Sequence, residues 1–204
     1  IQSERGKLNI EKYNCKKLNE KIFNYIKENN FKTILLFSRW GYYTPCFVNC
    51  RTNRLSVSGE TYNTAESFIY GLNKTISEYD SIGVNIIFMH DNPQQINDPM
   101  EIIYENRNHI LNNNYSEKEI ETLFNKYSVD IDSHQKDRKW INNIILNIKK
   151  NNFNKIRIDN YLCGEKKCKL MFNGRFIYGD DDHLSIFGAE YLYSLIKDDI
   201  SDLF

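Results

Sequence analysis

The clearest chemical pattern in the sequence is an aspartate followed three residues later by a histidine. Asp180 and His183 stand in the string YGDDDHLS, where the chain turns toward a predicted helix. At this spacing the carboxylate can lie beside the imidazole Nδ1, fix the tautomer and stabilise the imidazolium, which leaves Nε2 to take a proton from a hydroxyl nucleophile. We therefore take Asp180 and His183 as candidate catalytic residues, an orienting acid and a general base.

The same string has other interpretations. Three consecutive aspartates are typical of a solvated acidic turn, in which His183 would only cap the following helix. Adjacent carboxylates also suit a hard cation, but no second carboxylate cluster is visible to complete an oxygen shell, so we assign no metal ligand and no cofactor. Ser185 is well placed as the N-cap of the last helix, and we favour capping over nucleophilic attack for its hydroxyl.

Composition excludes several classes of function. The 204 residues carry 27 Lys and Arg against 27 Asp and Glu, so the formal net charge is zero. Proteins that bind nucleic acid through phosphates concentrate basic residues, so we expect no nucleic-acid partner. No apolar run approaches the roughly 20 residues that span a bilayer, and 41% hydrophobic residues are too many for a disordered chain. We expect one folded domain over residues 1–204.

The order of apolar patterns predicts an α/β fold with a mostly parallel sheet. Continuous apolar runs at Thr33–Ser38 and Val84–Met89 are typical of strands buried on both sides. The other predicted elements are a strand at Lys155–Asp159, helices at Cys15–Asn29, Ala65–Asp80 and Ser133–Lys150, a helix announced by Ser116 and Glu119 at capping-box spacing, and a last helix from near Ser185.

A short β-hairpin is predicted just before the candidate site. Lys169–Phe172 and Arg175–Tyr178 flank Asn173-Gly174, a dipeptide that accepts the positive φ angles of a two-residue turn. The hairpin therefore leads into YGDDDHLS and the last helix leaves it, so two regular elements would hold the candidate pair.

The closing third of the chain carries a recognisable combination: a cysteine pair, a hairpin, a tyrosine, an Asp-x-x-His-Leu-Ser motif and a Gly-Ala helix. These are Cys163, Cys168, Tyr178, Asp180, His183, Leu184, Ser185, Gly188 and Ala189. The combination resembles the SGNH hydrolase-like domain fused C-terminal to membrane acyltransferase-3 domains in bacterial surface-glycan O-acyltransferases. Upstream, Phe37-Ser38-Arg39-Trp40 is similar to the family's apolar strand that closes in Arg-Trp. The resemblance implies a three-layer α/β/α fold of SGNH or flavodoxin-like type.

The resemblance also implies a function. It points to extracytoplasmic O-acyl transfer, most simply O-acetyl transfer, to hydroxyls of a cell-surface or cell-wall glycan through a Ser-His-Asp acyl-enzyme. His183 would activate the serine and then the acceptor hydroxyl, and Asp180 would orient His183. A membrane acyltransferase domain in the same polypeptide would deliver the acyl group and tether this domain to the cytoplasmic membrane.

Two alternatives to acyl transfer stand beside this expectation. An esterase would use the same machinery with water as the acceptor. A non-catalytic glycan-binding domain would instead use an aromatic loop as a stacking surface. The residues of that loop are Trp40, Tyr42, Tyr43 and Phe47.

The chain departs from the family pattern at the nucleophile. SGNH enzymes place the serine in a Gly-Asp-Ser motif after the first strand, and no Gly-Asp-Ser occurs in this sequence. The Gly-x-Asn-Asp block that helps to form the oxyanion hole is not recognisable either. Because the sequence starts at Ile1 rather than Met and its first clear element is a helix, we expect the first strand and the serine to lie upstream. The alternative is a degenerate domain without a nucleophile.

The five cysteines include a pair whose disulfide would imply an oxidising compartment outside the cytoplasmic membrane. Cys163 and Cys168 are candidates for a disulfide that closes a small loop around Gly164. The alternatives are a pair of reduced thiols or half of a zinc site, and the absence of a second cysteine pair nearby makes the zinc site the weaker of these. Cys46 and Cys50 offer a second pair. We expect Cys15 to bond a cysteine upstream of this sequence.

Overall fold

The computed structural model describes residues 2–3, 15–43, 55–57, 60–61, 64–201 and 203. In chain order these residues form β1 (Gln2–Ser3), α1 (Cys15–Glu28), β2 (Thr33–Phe37), a 3-10 helix (Trp40–Tyr43), β3 (Leu55–Val57), β4 (Glu60–Thr61), α2 (Thr64–Asp80), β5 (Asn85–Met89), α3 (Pro99–Asn112), α4 (Glu117–Asn125), α5 (Ile131–Asn147), β6 (Phe153–Ile156), α6 (Asp159–Leu162), β7 (Met171–Phe172), β8 (Arg175–Phe176) and α7 (Ile186–Ser201).

The described residues cluster into two compact units. The first contains those up to Met89 together with Arg138–Ile156, and the second contains His90–Asp137 together with Arg157–Leu203. The candidate pair Asp180 and His183 belongs to the second unit. The expectation of a single domain over residues 1–204 stays a prediction.

The first unit is built on a three-stranded parallel sheet in the order β2-β5-β6. Every residue of β2 pairs in register with a residue of β5, and Ile86–Met89 of β5 pair with Phe153–Ile156 of β6. Parallel neighbours require a crossover connection, and α2 lies in the chain between β2 and β5. The predicted α/β class and parallel sheet are therefore confirmed. A second small sheet, β1-β3-β4, was not expected.

The core of the first unit lies between this sheet and apolar faces of the helices. Phe68, Leu72 and Ile76 recur at four-residue spacing along α2, and all three are buried against Ile86 and Phe88 of β5. Ile141 and Ile145 of α5 pack in the same cluster. The apolar faces of α2 and α5 therefore supply core residues.

The two strands that were both expected to be buried differ. In β5, Ile86, Ile87 and Phe88 are fully buried, so both faces of this central strand are covered, as predicted. In β2, Leu35 and Phe37 are each 48% exposed, and the expectation of burial on both sides is wrong there. The physical reason is position, because β5 is the one neighbour of β2 among the described residues and only Ile34 and Leu36 pack toward the core.

Two elements differ from the sequence expectation. Strand β6 occupies Phe153–Ile156 rather than Lys155–Asp159, because pairing with β5 places Phe153 opposite Ile86 and leaves Asp159 to begin α6. Helix α3 was missed altogether. Its start signals were present, since Asp98 accepts a hydrogen bond from the Met100 N–H at 2.7 Å and Pro99 lies in the first turn.

The predicted local elements of the second unit are confirmed. Helix α4 has the complete capping box of Ser116 and Glu119. The hairpin β7-β8 turns through Asn173 and Gly174, whose φ angles are 47° and 68°. Among the described residues, no helix has both the length and the apolar character needed to cross a membrane.

Candidate active site

The candidate pair lies on a loop whose two ends are joined. Tyr178 and Leu184 form an antiparallel bridge, and the Gly179 N–H donates to the His183 carbonyl at 2.8 Å. The Ser185 N–H donates to the Ile177 carbonyl at 2.9 Å. The segment between Tyr178 and Leu184, which we call the acidic loop, is therefore closed at its base between β8 and α7.

The loop brings Asp180 and His183 together. Asp180 Oδ2 lies 2.8 Å from His183 Nδ1. The other oxygen of Asp180, Oδ1, accepts the backbone N–H groups of Asp182 at 2.9 Å and His183 at 2.6 Å. One carboxylate thus closes the turn and contacts the ring, because an aspartate at the start of a turn can bond the backbone two and three residues ahead.

The imidazole of His183 is largely exposed to solvent. The His183 side chain is 75% exposed, and among the described residues its ring makes its hydrogen-bond and ion-pair contacts through Nδ1. With a carboxylate at Nδ1, the neutral ring carries its proton there and presents Nε2 as a base. This geometry meets the requirement for proton transfer from a hydroxyl, while the catalytic roles of both residues stay a prediction.

A second carboxylate that sequence reasoning did not single out also contacts the ring. Asp182 Oδ1 lies 2.9 Å from His183 Nδ1. The Asp182 side chain is 6% exposed, whereas that of Asp180 is 40% exposed. Asp180, Asp182 and His183 each offer a possible metal ligand atom within 4.8 Å of the others, but the close contacts of both carboxylates with Nδ1 already account for this spacing. The cluster by itself does not define a metal site.

The polar segment after β5 holds the acidic loop from one side. Asn92 Nδ2 donates to the Asp182 carbonyl at 2.9 Å, and Gln94 Nε2 donates to Asp181 Oδ2 at 3.0 Å. The Gln95 N–H donates to the Asp181 carbonyl at 2.7 Å. No local sequence pattern links this segment to the acidic loop, since the residues that it contacts lie about 90 positions away.

Tyr178 lies beneath the loop. Its side chain is buried, and burial raises the pKa of the phenol, while the neighbouring side chains of Gln95 and Asn92 oppose that rise. The phenol is therefore neutral at physiological pH. The buried Tyr178 side chain therefore supports the acidic loop by packing.

Ser185 and Gly188 fix the start of α7. Ser185 Oγ accepts the Gly188 N–H at 2.9 Å and donates to the Phe176 carbonyl at 2.7 Å, so the predicted N-cap is confirmed. A Cβ atom at Gly188 would lie 1.8 Å from the Ile177 carbonyl oxygen. Only glycine permits this close approach of the helix to the strand that precedes the acidic loop.

The second unit contains another histidine beside a carboxylate. His134 Nε2 lies 3.8 Å from Asp159 Oδ2, and each of these side chains is 4% exposed. Arg157 binds the same carboxylate through both oxygens, with Nε 3.1 Å from Oδ1 and Nη2 hydrogen-bonded to Oδ2. The hydrogen bond to Asp159 raises the pKa of Arg157, against the opposing effect of burial. Sequence reasoning did not find this pair, because His134 and Asp159 are 25 positions apart.

The predictions for the five cysteines have different outcomes. Cys163 and Cys168 form a disulfide bond, as expected. Cys15 is the first residue of α1, its expected partner stays a prediction, and Cys46 and Cys50 lie outside the described residues.

Trp40, the first residue of the proposed aromatic surface, is a packing residue. Its Nε1 donates to the Met89 carbonyl at 2.7 Å, and its ring stacks on Phe88 with centroids 4.4 Å apart. Tyr42 and Tyr43 lie in the 3-10 helix, and Phe47 lies outside the described residues. The ring best suited to sugar stacking is therefore committed to the core.

A family model described as "SGNH domain (fused to AT3 domains)" matches residues 2–198. The chain therefore belongs to this SGNH domain family, as the motifs near its C-terminus implied.

The chain is also similar to a solved structure, the periplasmic domain of the lipopolysaccharide acetyltransferase of Salmonella ser. Paratyphi A. The TM-score is 0.60 at 20% sequence identity, and the alignment covers 91% of this chain and 62% of that one. At this identity the likeness shows the fold alone, and the chain spans less than two thirds of the solved domain. No curated protein matches the sequence significantly.

Proposed function

We propose that this chain is the acid–base part of an extracytoplasmic O-acyltransferase that places an acyl group, most simply acetyl, on hydroxyls of a cell-surface or cell-wall glycan. The observation that carries the proposal is the exposed His183 imidazole with Asp180 Oδ2 2.8 Å from Nδ1, in a chain of the SGNH family fused to AT3 domains. The fold shared with a lipopolysaccharide acetyltransferase periplasmic domain supports the choice of acyl group and acceptor class.

In the proposed reaction a serine outside this sequence attacks the acyl carbonyl. His183 Nε2 takes the serine proton as the Oγ–carbon bond forms, and returns it to the leaving group as the donor ester breaks. The ring then takes a proton from the glycan hydroxyl, whose oxygen attacks the acyl-serine, and returns that proton to the serine oxygen. Asp180 holds the ring and stabilises the imidazolium in both halves of the reaction.

The proposed location and partners follow from the same family. A membrane acyltransferase domain in the same polypeptide would deliver the acyl group and hold this domain at the outer side of the cytoplasmic membrane. The disulfide between Cys163 and Cys168 supports an oxidising compartment, because such bonds do not persist in a reducing cytoplasm.

The test is acyl transfer by the full-length gene product that contains this chain. An aryl acetate serves as the acyl donor, and release of its phenol is measured with and without a glycan acceptor. The wild type, His183→Ala and the control His109→Ala are compared. His109 is another exposed histidine, in α3. We expect His183→Ala to lower kcat by ~10³-fold or more, and His109→Ala to leave it unchanged. Equal activity of the wild type and His183→Ala would reject the acid–base assignment.

The same assay separates transferase from esterase. A transferase gives acylated glycan at the expense of free acetate when acceptor is added. An esterase gives free acetate at the same rate whether or not the acceptor is present, and this result would replace transfer by hydrolysis in the proposal.

A further inference from the structure

Two carboxylates, rather than one, lie close to Nδ1 of His183. Asp180 Oδ2 accepts a hydrogen bond from Nδ1 at 2.8 Å, and Asp182 Oδ1 makes an ion-pair contact with the same nitrogen at 2.9 Å. Asp180, three residues before His183, is the aspartate of the motif. Asp182, the residue directly before His183, has the more deeply buried side chain. Distance alone does not favour either residue as the partner of the ring.

The main chain of Asp182 is held on both sides. Its N–H donates to Asp180 Oδ1 at 2.9 Å, and its carbonyl accepts from Asn92 Nδ2 at 2.9 Å. Neighbouring Asp181 is anchored in the same way, through its carbonyl to the Gln95 N–H and through its carboxylate to Gln94. The position of the Asp182 carboxylate is therefore set by bonds formed outside the imidazole contact.

We propose that Asp182 is a second positioning carboxylate for His183, which shares the Nδ1 proton with Asp180. This inference rests on the proposed acid–base role of His183. A buried carboxylate interacts more strongly with a developing imidazolium than an exposed one does, because less water screens the interaction. The two carboxylates together hold the ring in one tautomer and stabilise its cation, and either one alone keeps Nε2 available as the base.

The sharing predicts an unusual response to substitution. Where a single carboxylate orients a catalytic histidine, its replacement by the amide costs ~10⁴-fold in kcat because the histidine adopts the wrong tautomer. Here Asp180→Asn leaves Asp182 in contact with Nδ1, and Asp182→Asn leaves Asp180. We expect each single variant to lose ~10-fold and the double variant ~10⁴-fold, with KM little changed, since neither residue is proposed to contact the substrate.

The direct test is the tautomer of His183 in the full-length gene product that contains this chain, read from the imidazole ¹⁵N chemical shifts. The wild type, Asp180→Asn, Asp182→Asn and the double variant are compared, with Asp181→Asn as the matched control. Asp181→Asn removes a charge from the same loop and keeps an oxygen that accepts the Gln94 amide. Backbone spectra of each variant establish that it is folded, and Asp182→Ser serves if Asp182→Asn does not fold.

We expect the Nδ1–H tautomer in the wild type, in both single variants and in the control, and the Nε2–H tautomer in the double variant. The proposal is overturned if Asp180→Asn alone gives the Nε2–H tautomer, since Asp182 would then make no effective contact. It is also overturned if Asp182→Asn alone does so, since the proton would then not be shared. Because this readout needs no turnover, it is independent of the failure of the proposed function, which the His183→Ala assay reports.

Discussion

The second unit contains two histidine–carboxylate pairs with opposite surroundings. His183 is 75% exposed and contacts Asp180 at 2.8 Å, whereas His134 is 4% exposed and lies 3.8 Å from Asp159. Arg157 occupies both oxygens of Asp159. The nearest carboxylate oxygen of Asp180, in contrast, is turned to the imidazole.

The difference separates a buried pair with a structural role from an exposed pair that fits the proposed acid–base role. A buried carboxylate needs a full set of partners, because an ion without them is costly in the interior. Asp159 has Arg157 as its main partner, and His134 lies beside the same carboxylate with 4% of its side chain exposed. At His183 the carboxylates contact Nδ1, and Nε2 stays accessible to a hydroxyl group. A general base needs this arrangement.

The largest effect on stability is expected at the buried pair. Arg157→Gln removes the guanidinium that binds both oxygens of the buried Asp159 carboxylate. Breaking such a pair lowers the free energy of unfolding by ~3–5 kcal/mol. The free energy of unfolding is measured by urea denaturation of the 204-residue chain. The control is Arg107→Gln, at an exposed position in α3, with an expected change of ~0.5 kcal/mol or less. Equal losses in the two variants would show that Asp159 does not depend on Arg157.

A smaller loss is expected where α7 meets the strand before the acidic loop. In Gly188→Ala the added methyl group meets the Ile177 carbonyl oxygen, so the helix start must shift, at a cost of ~1–3 kcal/mol. We expect the shift to displace His183 as well, and to change its ring resonances more than those of His134. Gly164→Ala is the control, because a Cβ there comes no closer than 3.8 Å to another atom. Unchanged stability in Gly188→Ala would mean that the helix is not held against Ile177.

The smallest effect concerns a carboxylate that binds a tyrosine. The hydrogen bond from Tyr161 to Asp199, with a lesser contribution from burial, raises the pKa of Tyr161 to about 12, above its ordinary value of 10.0. The folded state therefore keeps the proton where the unfolded state has lost it, and stability from this contact is full below pH 10 and is lost between pH 10 and 12.

The Tyr161→Phe variant tests this pH dependence. The stability difference between wild type and Tyr161→Phe should be constant below pH 10 and should shrink as the pH rises toward 12. It is measured from the urea midpoints of both proteins across that range. A difference that grows with pH in this window would have the wrong sign and would exclude the hydrogen bond as its cause.

The parts of the fold that local chemistry determines were predictable from the sequence. Asn173 and Gly174 specify their turn by accepting positive φ angles, and Ser116 with Glu119 specifies the start of α4. The contact between Asp180 and His183 is of the same kind, because three residues of a turn are enough to form it.

The parts that depend on distant pairing were not predictable. Asn92 and Gln94 reach the acidic loop across about 90 residues, and no pattern in the sequence links them to it. The exposure of Leu35 follows from the edge position of β2 in the sheet that the described residues form, which an apolar run cannot reveal. Asp182 lay within the motif, but its burial, which favours it as a second partner of His183, depends on packing.

The central claim is that His183 activates a serine nucleophile, and covalent labelling tests it most directly. The full-length gene product is treated with a fluorophosphonate, which reacts with activated serines, and the adduct is located by mass spectrometry in the wild type, His183→Ala and His134→Ala. The account predicts one labelled serine, with labelling slowed by ~10³-fold or more in His183→Ala and retained in folded His134→Ala. Labelling at the same rate in the wild type and His183→Ala, or no labelled serine in the wild type, would contradict it.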